Sequence, residues 1–272
     1  MNESEFDAPG AQDSVPVLVR LGSAADRGEL TSMLRHAGLP IGRPVVVLVG
    51  GAGGLDRTQT SACDVLFTRA LVPALDDADA VLVDGGTDSG IMRLAGRARQ
   101  LLHARSPQVG VVAAGTVRWP SDPGEGIPGT IRTDFRVDLE PRHSHIVVVP
   151  GDRWGDEGPW LSAVAAALSG DRPSVTVLAN GGDIAYDDVR RSLADGRRVL
   201  VLGSTGRAAA ELTNAVAGLP ADRRAVDLVR SPLLTVLGDD PSVVRSALAD
   251  VLGGLGAVAV APSQLQPPAN RS

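Results

Sequence analysis

Short apolar runs at 44–49, 80–83, 109–113, 145–149, 174–178 and 198–202 each meet a Gly, Asn or Asp close to their ends. Helical patterns alternate with them at 58–75, 90–103, 159–168, 184–194, 206–217 and 241–252. That alternation is the mark of βαβ units and a parallel sheet. Apolar positions such as Val189 and Leu193, or Leu212 and Val216, recur at helical spacing, giving each helix one stripe to lay on the sheet. The segment 118–141 breaks the rhythm with prolines, glycines and charges. It is longer than an ordinary connection and reads as a lid or an inserted edge element.

Aromatic residues are only 3% of a chain that is 43% hydrophobic. The core must therefore be built from Val, Leu, Ile and Ala, the composition of strands buried on both faces beneath helices. The expected fold is a three-layer, Rossmann-like α/β domain with a mainly parallel central sheet flanked by helices. At 272 residues the chain can bury one large core. The expected organisation is a single domain at 15–261, with tails at 1–14 and 262–272 too polar to offset the cost of ordering. A formal charge of −6 offers no general attraction for nucleic acid or an anionic membrane, which discounts both as partners. The lone Cys63 leaves no partner for an intramolecular disulfide and reads as a small buried hydrophobe, which fits a reducing compartment. The N-terminus is acidic and lacks an apolar targeting segment, and the apolar stretch 247–261 is interrupted by Asp250 and Gly253-Gly254. That stretch is shorter than the roughly 18 residues a membrane span requires, so a cytoplasmic location is expected.

In a doubly wound parallel sheet, ligands bind outside the carboxyl ends of the strands, where helix N-termini present backbone amides. The first such loop, Gly50-Gly51-Ala52-Gly53-Gly54, lets the backbone approach an anion, or serves as a tight turn. A dinucleotide fingerprint would need a glycine at position 56, where Asp56 stands. The second loop, Gly85-Gly86-Thr87-Asp88-Ser89-Gly90, puts two hydroxyls at a helix start and can surround a phosphate, or simply cap the helix. The third, 150–160, offers Gly151, Arg153, Trp154 and Glu157 for ribose hydrogen bonding and base stacking, with Trp160 serving either the ligand or the core. Gly181-Gly182 and Gly203-Ser204-Thr205-Gly206-Arg207 repeat the theme, and the latter suits a diphosphate. Arg207 in a first helical turn opposes the helix dipole, so its presence wants an explanation.

His143 and His145 stand two apart before a strand, a spacing compatible with metal binding, acid-base work or simple hydrogen bonding at the sheet end. No further ligand accompanies them at metal spacing, and no nucleophile elbow, zinc-binding helix or Walker lysine occurs. Glu157 is the one catalytic candidate.

These motifs resemble the SLOG superfamily, most closely its prokaryotic branch similar to the N-terminal cytosolic region of melastatin-type TRP (TRPM) channels. The matching stretches are VVVLVGGAGG (45–54), VLVDGGTDSGIMRLAGRA (81–98), GVVAAGTV (110–117), PRHSHIVVV (141–149), PGDRWGDEGPW (150–160), VLANGGD (177–183) and VLVLGSTGRAAAEL (199–212). The resemblance implies a Rossmann-like domain that senses nucleotide-derived ligands, ADP-ribose and NAD-related metabolites first among them, and no resident cofactor beyond such a ligand. It implies phosphate contact by Arg207 above the Gly85-Gly86-Thr87 loop, and adds Gly115, Thr116 and His143 to the candidate ligand set. The basic helix face of the channel domains is missing, since the helix here reads Leu161-Ser162-Ala163-Val164-Ala165. More distantly, Pro150-Gly151 through Gly155 and Glu157 resemble the PGGxGTxxE motif of the cytokinin-activating (lonely-guy) phosphoribohydrolases, with Asp152 in place of the second glycine. That likeness makes a nucleotide N-glycosidase the rival expectation, and an interaction scaffold with purely structural glycines the third. A homo-oligomer and a separately encoded effector protein both stay open as partners.

Overall fold

The computed structural model describes residues 16–22, 27–51, 53–119 and 136–254. The expected tails, Ala52 and most of the 118–141 segment lie outside the described residues. The elements run β1 (Val17–Arg20), α1 (Arg27–His36), β2 (Val45–Gly50), α2 (Arg57–Leu66), a π turn (Phe67–Leu71), α3 (Val72–Asp77), β3 (Val81–Asp84), α4 (Gly90–Leu101) and β4 (Gln108–Ala113). They continue with β5 (His145–Val149), α5 (Gly158–Ser169), β6 (Ser174–Ala179), α6 (Asp183–Ala194), β7 (Arg198–Leu202), a 3-10 turn (Gly203–Thr205), α7 (Arg207–Val216), α8 (Arg223–Leu228), β8 (Leu234–Leu237) and α9 (Pro241–Leu252). The strands form one eight-stranded sheet in the order β1-β5-β4-β3-β2-β6-β7-β8, and every neighbouring pair is parallel.

Alternate residues of the central strands feed two apolar layers. Val45, Val47 and Val49 point into the core covered by α1, α5, α6, α7 and α8. Val46 and Leu48 point into the opposite core, covered by α2, α3, α4 and α9. The result is the expected three-layer Rossmann-like α/β architecture. Cys63 is fully buried on α2, and burial followed by the charge of Asp64 pushes its thiol up to about 12, so it behaves as a core hydrophobe.

Several elements differ from the sequence reading for identifiable reasons. The helix expected at 58–75 is interrupted by a π turn just ahead of Pro73. Proline has no amide hydrogen and its ring clashes with the carbonyl four residues back, and a widened turn accommodates both. Strand β1 was not anticipated because it pairs at the sheet edge with only Val19 buried. Helix α1 buries only Leu30 and Leu34 within a polar stretch, and α8 is six residues long, so neither carries a strong apolar stripe. The described flanks of the 118–141 segment are sewn to the sheet: Arg118 N donates to Val137 O at 2.9 Å, Thr87 bridges antiparallel to Leu139, and Glu140 N donates to Gly86 O at 3.0 Å. No helix among the described residues is long and apolar enough to cross a membrane.

Gly110 of β4 lies against the β3–α4 loop, and a Cβ there would sit 2.5 Å from Gly86 Cα and 2.7 Å from Ile146 Cδ1. A Gly110→Ala variant is expected to lose about 1–3 kcal/mol through overpacking, read as a lowered urea midpoint with an unchanged m-value.

Candidate functional site

From β2 the chain steps outward through β3, β4 and β5 on one side, then returns to lay β6 against the opposite flank of β2. The strand order therefore reverses between β2 and β6, where helices leave to opposite faces and a crevice opens at the carboxyl ends. Gly50 makes this approach possible, since a Cβ there would lie 1.8 Å from Ala179 O of β6. A cavity of about 470 Å³ occupies the crevice. The end of β2, the β3–α4 loop, the β5–α5 loop, the start of α6 and the start of α7 all contribute to its wall.

The wall has distinct chemical regions. Leu48, Val49, Met92, Leu161 and Ala185 supply an apolar backing. Trp154 and Ile184, 40% and 39% exposed, form a hydrophobic rim on which a planar group can stack. Arg207 supplies the cation. It takes a left-handed backbone (φ +50°) as the first residue of α7, which carries its side chain away from the helix axis and across to the β2 loop. There Nη1 donates to Gly53 O at 2.9 Å. Glycines at 54 and 182 leave room for the guanidinium, since a Cβ on either would lie 3.0 Å from it. No carboxylate among the described residues pairs with it, which answers the sequence puzzle of a cation in a first helical turn: the side chain serves the cavity, at the cost of local backbone strain.

The acidic groups of the wall are Glu157, Asp183 and Asp188. Arg224 Nη2 holds Asp183 at 2.9 Å and stacks its guanidinium on the Tyr186 ring, 4.1 Å from the centroid. Glu157 accepts the Gly155 amide at 2.9 Å, and burial raises its pKa above the usual carboxylate range. Burial, then the neighbouring charge of Glu157, pushes Asp188 up to about 7.

Residues 43–244 match the family model described as SLOG in TRPM, prokaryote. The chain belongs to that family. Among curated proteins, it is 23% identical over 229 residues to transient receptor potential cation channel subfamily M member 2 of Rattus norvegicus, covering 74% of this chain and 15% of the channel. It is 26% identical over 179 residues to a subfamily M member-like 2 channel of Nematostella vectensis, covering 57% of this chain and 11% of that protein. The chain thus spans a small part of the length of these relatives.

In this SLOG domain the expected ligand residues fall into two groups. Gly50, Gly51, Gly85, Thr87, Trp154, Glu157, Gly182 and Arg207 line the cavity together, and Gly53 meets Arg207 through its carbonyl. Most of the others among the described residues hold the loops or form their turns, Arg153 excepted. Ser89 Oγ and Thr87 Oγ1 are 2.9 Å apart at the start of α4, beside Gly90. Gly115 N donates to Gly151 O at 2.9 Å, and the buried Thr116 hydroxyl donates to Ala113 O. The buried Thr205 hydroxyl accepts from Asn180 N and donates to Leu202 O. Gly203, Ser204 and Gly206 form the turn before α7 and do not line the cavity. Arg153 is 85% exposed beside Asp152, and Trp160 packs against the core. The expectation of bare amides at the helix starts is corrected in part: Ile91 N donates to Gly51 O, while Ala208 N and Ala209 N donate to Gly181 O and Asn180 O. These bonds tie the loops to one another, and Asp56 likewise caps α2 by accepting from Gln59 N at 2.8 Å. Asp188, Asp183 and Ile184 were missed. Their signal was positional, since Asp188 stands one helical turn after Ile184 and so shares its face.

His143 is also placed differently from the reading that gave it to a ligand. It is fully buried, with Nε2 2.8 Å from Asp84 Oδ1 and Nδ1 3.0 Å from Glu140 Oε2. Asp84 further accepts Gly86 N at 2.8 Å and Gln108 Nε2 at 2.7 Å, so the network anchors the β3–α4 loop beneath the cavity. His145 does separate work, its Nε2 3.0 Å from Ala37 O. Burial alone would depress the His143 pKa, but the charge and hydrogen bond of Asp84, then those of Glu140, raise it to about 9. Asp84 is opposed by burial in the same way, yet the His143 charge and hydrogen bond and the Gly86 and Gln108 donors hold it below the ordinary carboxylate range.

The imidazole titrates near 6.5 when unfolded, so its stabilisation is complete below that pH and is lost as pH rises through about 9. The depressed Asp84 contributes stability that is present above its unfolded pKa and is lost as pH falls through its lower folded value. Denaturation of the wild type followed from pH 6 to 10 is expected to show this alkaline loss. His143→Ala, which takes the one ion-paired cation from the buried Asp84 while Glu140 keeps Arg142, is expected to cost about 3–5 kcal/mol and to abolish the alkaline slope.

Proposed function

We propose that this SLOG domain binds a phosphate-bearing, nucleotide-derived small molecule and acts as a sensor of it. The observation that carries the reading is Arg207, a guanidinium without a carboxylate partner among the described residues, held over a cavity walled by glycine loops at the strand-order reversal. Guanidinium forks bind phosphate oxygens in pairs and stay charged at any working pH. The apolar backing and the Trp154 rim suit a base, and a volume of about 470 Å³ lies in the small-molecule range. ADP-ribose, NAD-related compounds and simpler nucleotides all present this combination of base, sugar and phosphate. The engaged amides of α7 leave the side chain of Arg207, with the β2 and β3 loops, as the main phosphate-holding elements.

Titration calorimetry with ADP-ribose, NAD and AMP tests the reading. At least one is expected to bind, and Arg207→Ala is expected to weaken it by about 2 kcal/mol, roughly 30-fold. Arg153→Ala, which removes an exposed cation outside the cavity, is expected to leave affinity unchanged. Silence across the three ligands at millimolar concentration would remove the proposal.

A further inference from the structure

Asp188 is a carboxyl group that the protein itself leaves under-served. Its side chain is only 13% exposed, and no hydrogen bond to it exists among the described residues. The nearest cationic atom, Arg191 Nη1, stands 3.9 Å from Oδ1, beyond hydrogen-bonding reach. The close approach of α5 to α6 puts it there: a Cβ on Gly158 would fall 2.8 Å from Asp188 Oδ1 and 2.9 Å from Arg191 Nη1. Glu157, the residue before Gly158, lines the same cavity and accepts the Gly155 amide but no cationic side chain among the described residues. Two carboxyl groups from different elements thus face one space of small-molecule size, while the third acid of the wall, Asp183, is paired with Arg224.

The chemistry of such a pair selects its occupant. Phosphate oxygens are repelled by it and are drawn to Arg207 instead. The groups acting on Asp188 are Glu157 from the α5 side and Asp187 and Arg191 from its own helix, with Asp156 adding to the charge around Glu157. Their balance lets the pair retain a proton near neutral pH, which lowers its pull on a metal ion or an amine. Hydroxyls remain, because they donate to a carboxylate and accept from a carboxylic acid. Acidic side chains hold ribose hydroxyls in doubly wound nucleotide-binding domains for this reason.

We infer that Asp188 and Glu157 form the sugar-recognising end of the cavity, taking the vicinal hydroxyls of a ribose, so that the domain selects ribonucleotides over their 2′-deoxy counterparts. This inference rests on the nucleotide reading above. A buried polar group left without its partner penalises the analogue that lacks the hydroxyl, and that penalty is the source of the selectivity.

Calorimetric titration with AMP and with 2′-deoxy-AMP decides it. The deoxynucleotide is expected to bind about 10- to 100-fold more weakly. Asp188→Ala, with near-isosteric Asp188→Asn as a second variant, is expected to bring AMP down towards the deoxynucleotide while leaving the latter unchanged. Asp187→Asn, an exposed neighbour outside the cavity wall, is expected to alter neither. Equal binding of the two nucleotides to the wild type overturns the inference and leaves the nucleotide reading standing. Undiminished discrimination in both Asp188 variants also overturns it. If AMP, 2′-deoxy-AMP, ADP-ribose and NAD all fail to bind, the nucleotide reading itself fails, and this inference with it.

Discussion

Where β2 and β6 run side by side, the ladder from Val45 opposite Ser174 to Gly50 opposite Ala179 joins two halves of a sheet that the chain builds in opposite directions. Parallel pairing throughout forces every strand-to-helix loop onto one edge, and the reversal at this ladder keeps the helices from closing over its end. The remaining features of the site are consequences of that arrangement. Glycine at position 50 is required by the closeness of the strands, and the loops after β3, β5, β6 and β7 meet because their strands end at a common level.

The site is built in two tiers with different chemistry. Below, a protonated His143 between Asp84 and Glu140 fixes the β3–α4 loop through a fully buried network. Above, Arg207 spans from the β7–α7 turn to the β2 loop, meeting a carbonyl instead of a carboxylate. The lower cation is neutralised by carboxylates, and the upper one has no carboxylate partner among the described residues. Buried charge that is fully hydrogen-bonded confers rigidity, whereas a cation left on a backbone oxygen can exchange partners at little cost.

Much of this was legible in the sequence because fully buried parallel strands read as unbroken valine and leucine runs, and because glycines mark the loops that must approach closely. The six anticipated strands match β2 through β7 within a residue or so of their ends. The edge strands were not legible, since β1 buries only Val19 and β8 only its last two residues. The roles of individual polar side chains were harder to read, since partners distant in sequence decide them. His143 and His145 look equivalent until Asp84, 59 positions earlier, is seen to claim one of them. Nothing in the sequence sets Asp188 apart from the other acids of its helix, and its place in the cavity wall emerges only where Gly158 lets α5 approach it.

The stitching of Val117 and Arg118 to Val137 has a consequence for how such a domain diversifies. An excursion whose two ends are already fastened together pays little more closure entropy when it lengthens, about 0.6 kcal/mol for each doubling. Its far end is fastened in turn to Gly86 and Thr87, so a change in the length of chain between these described flanks is expected to leave the strands undisturbed.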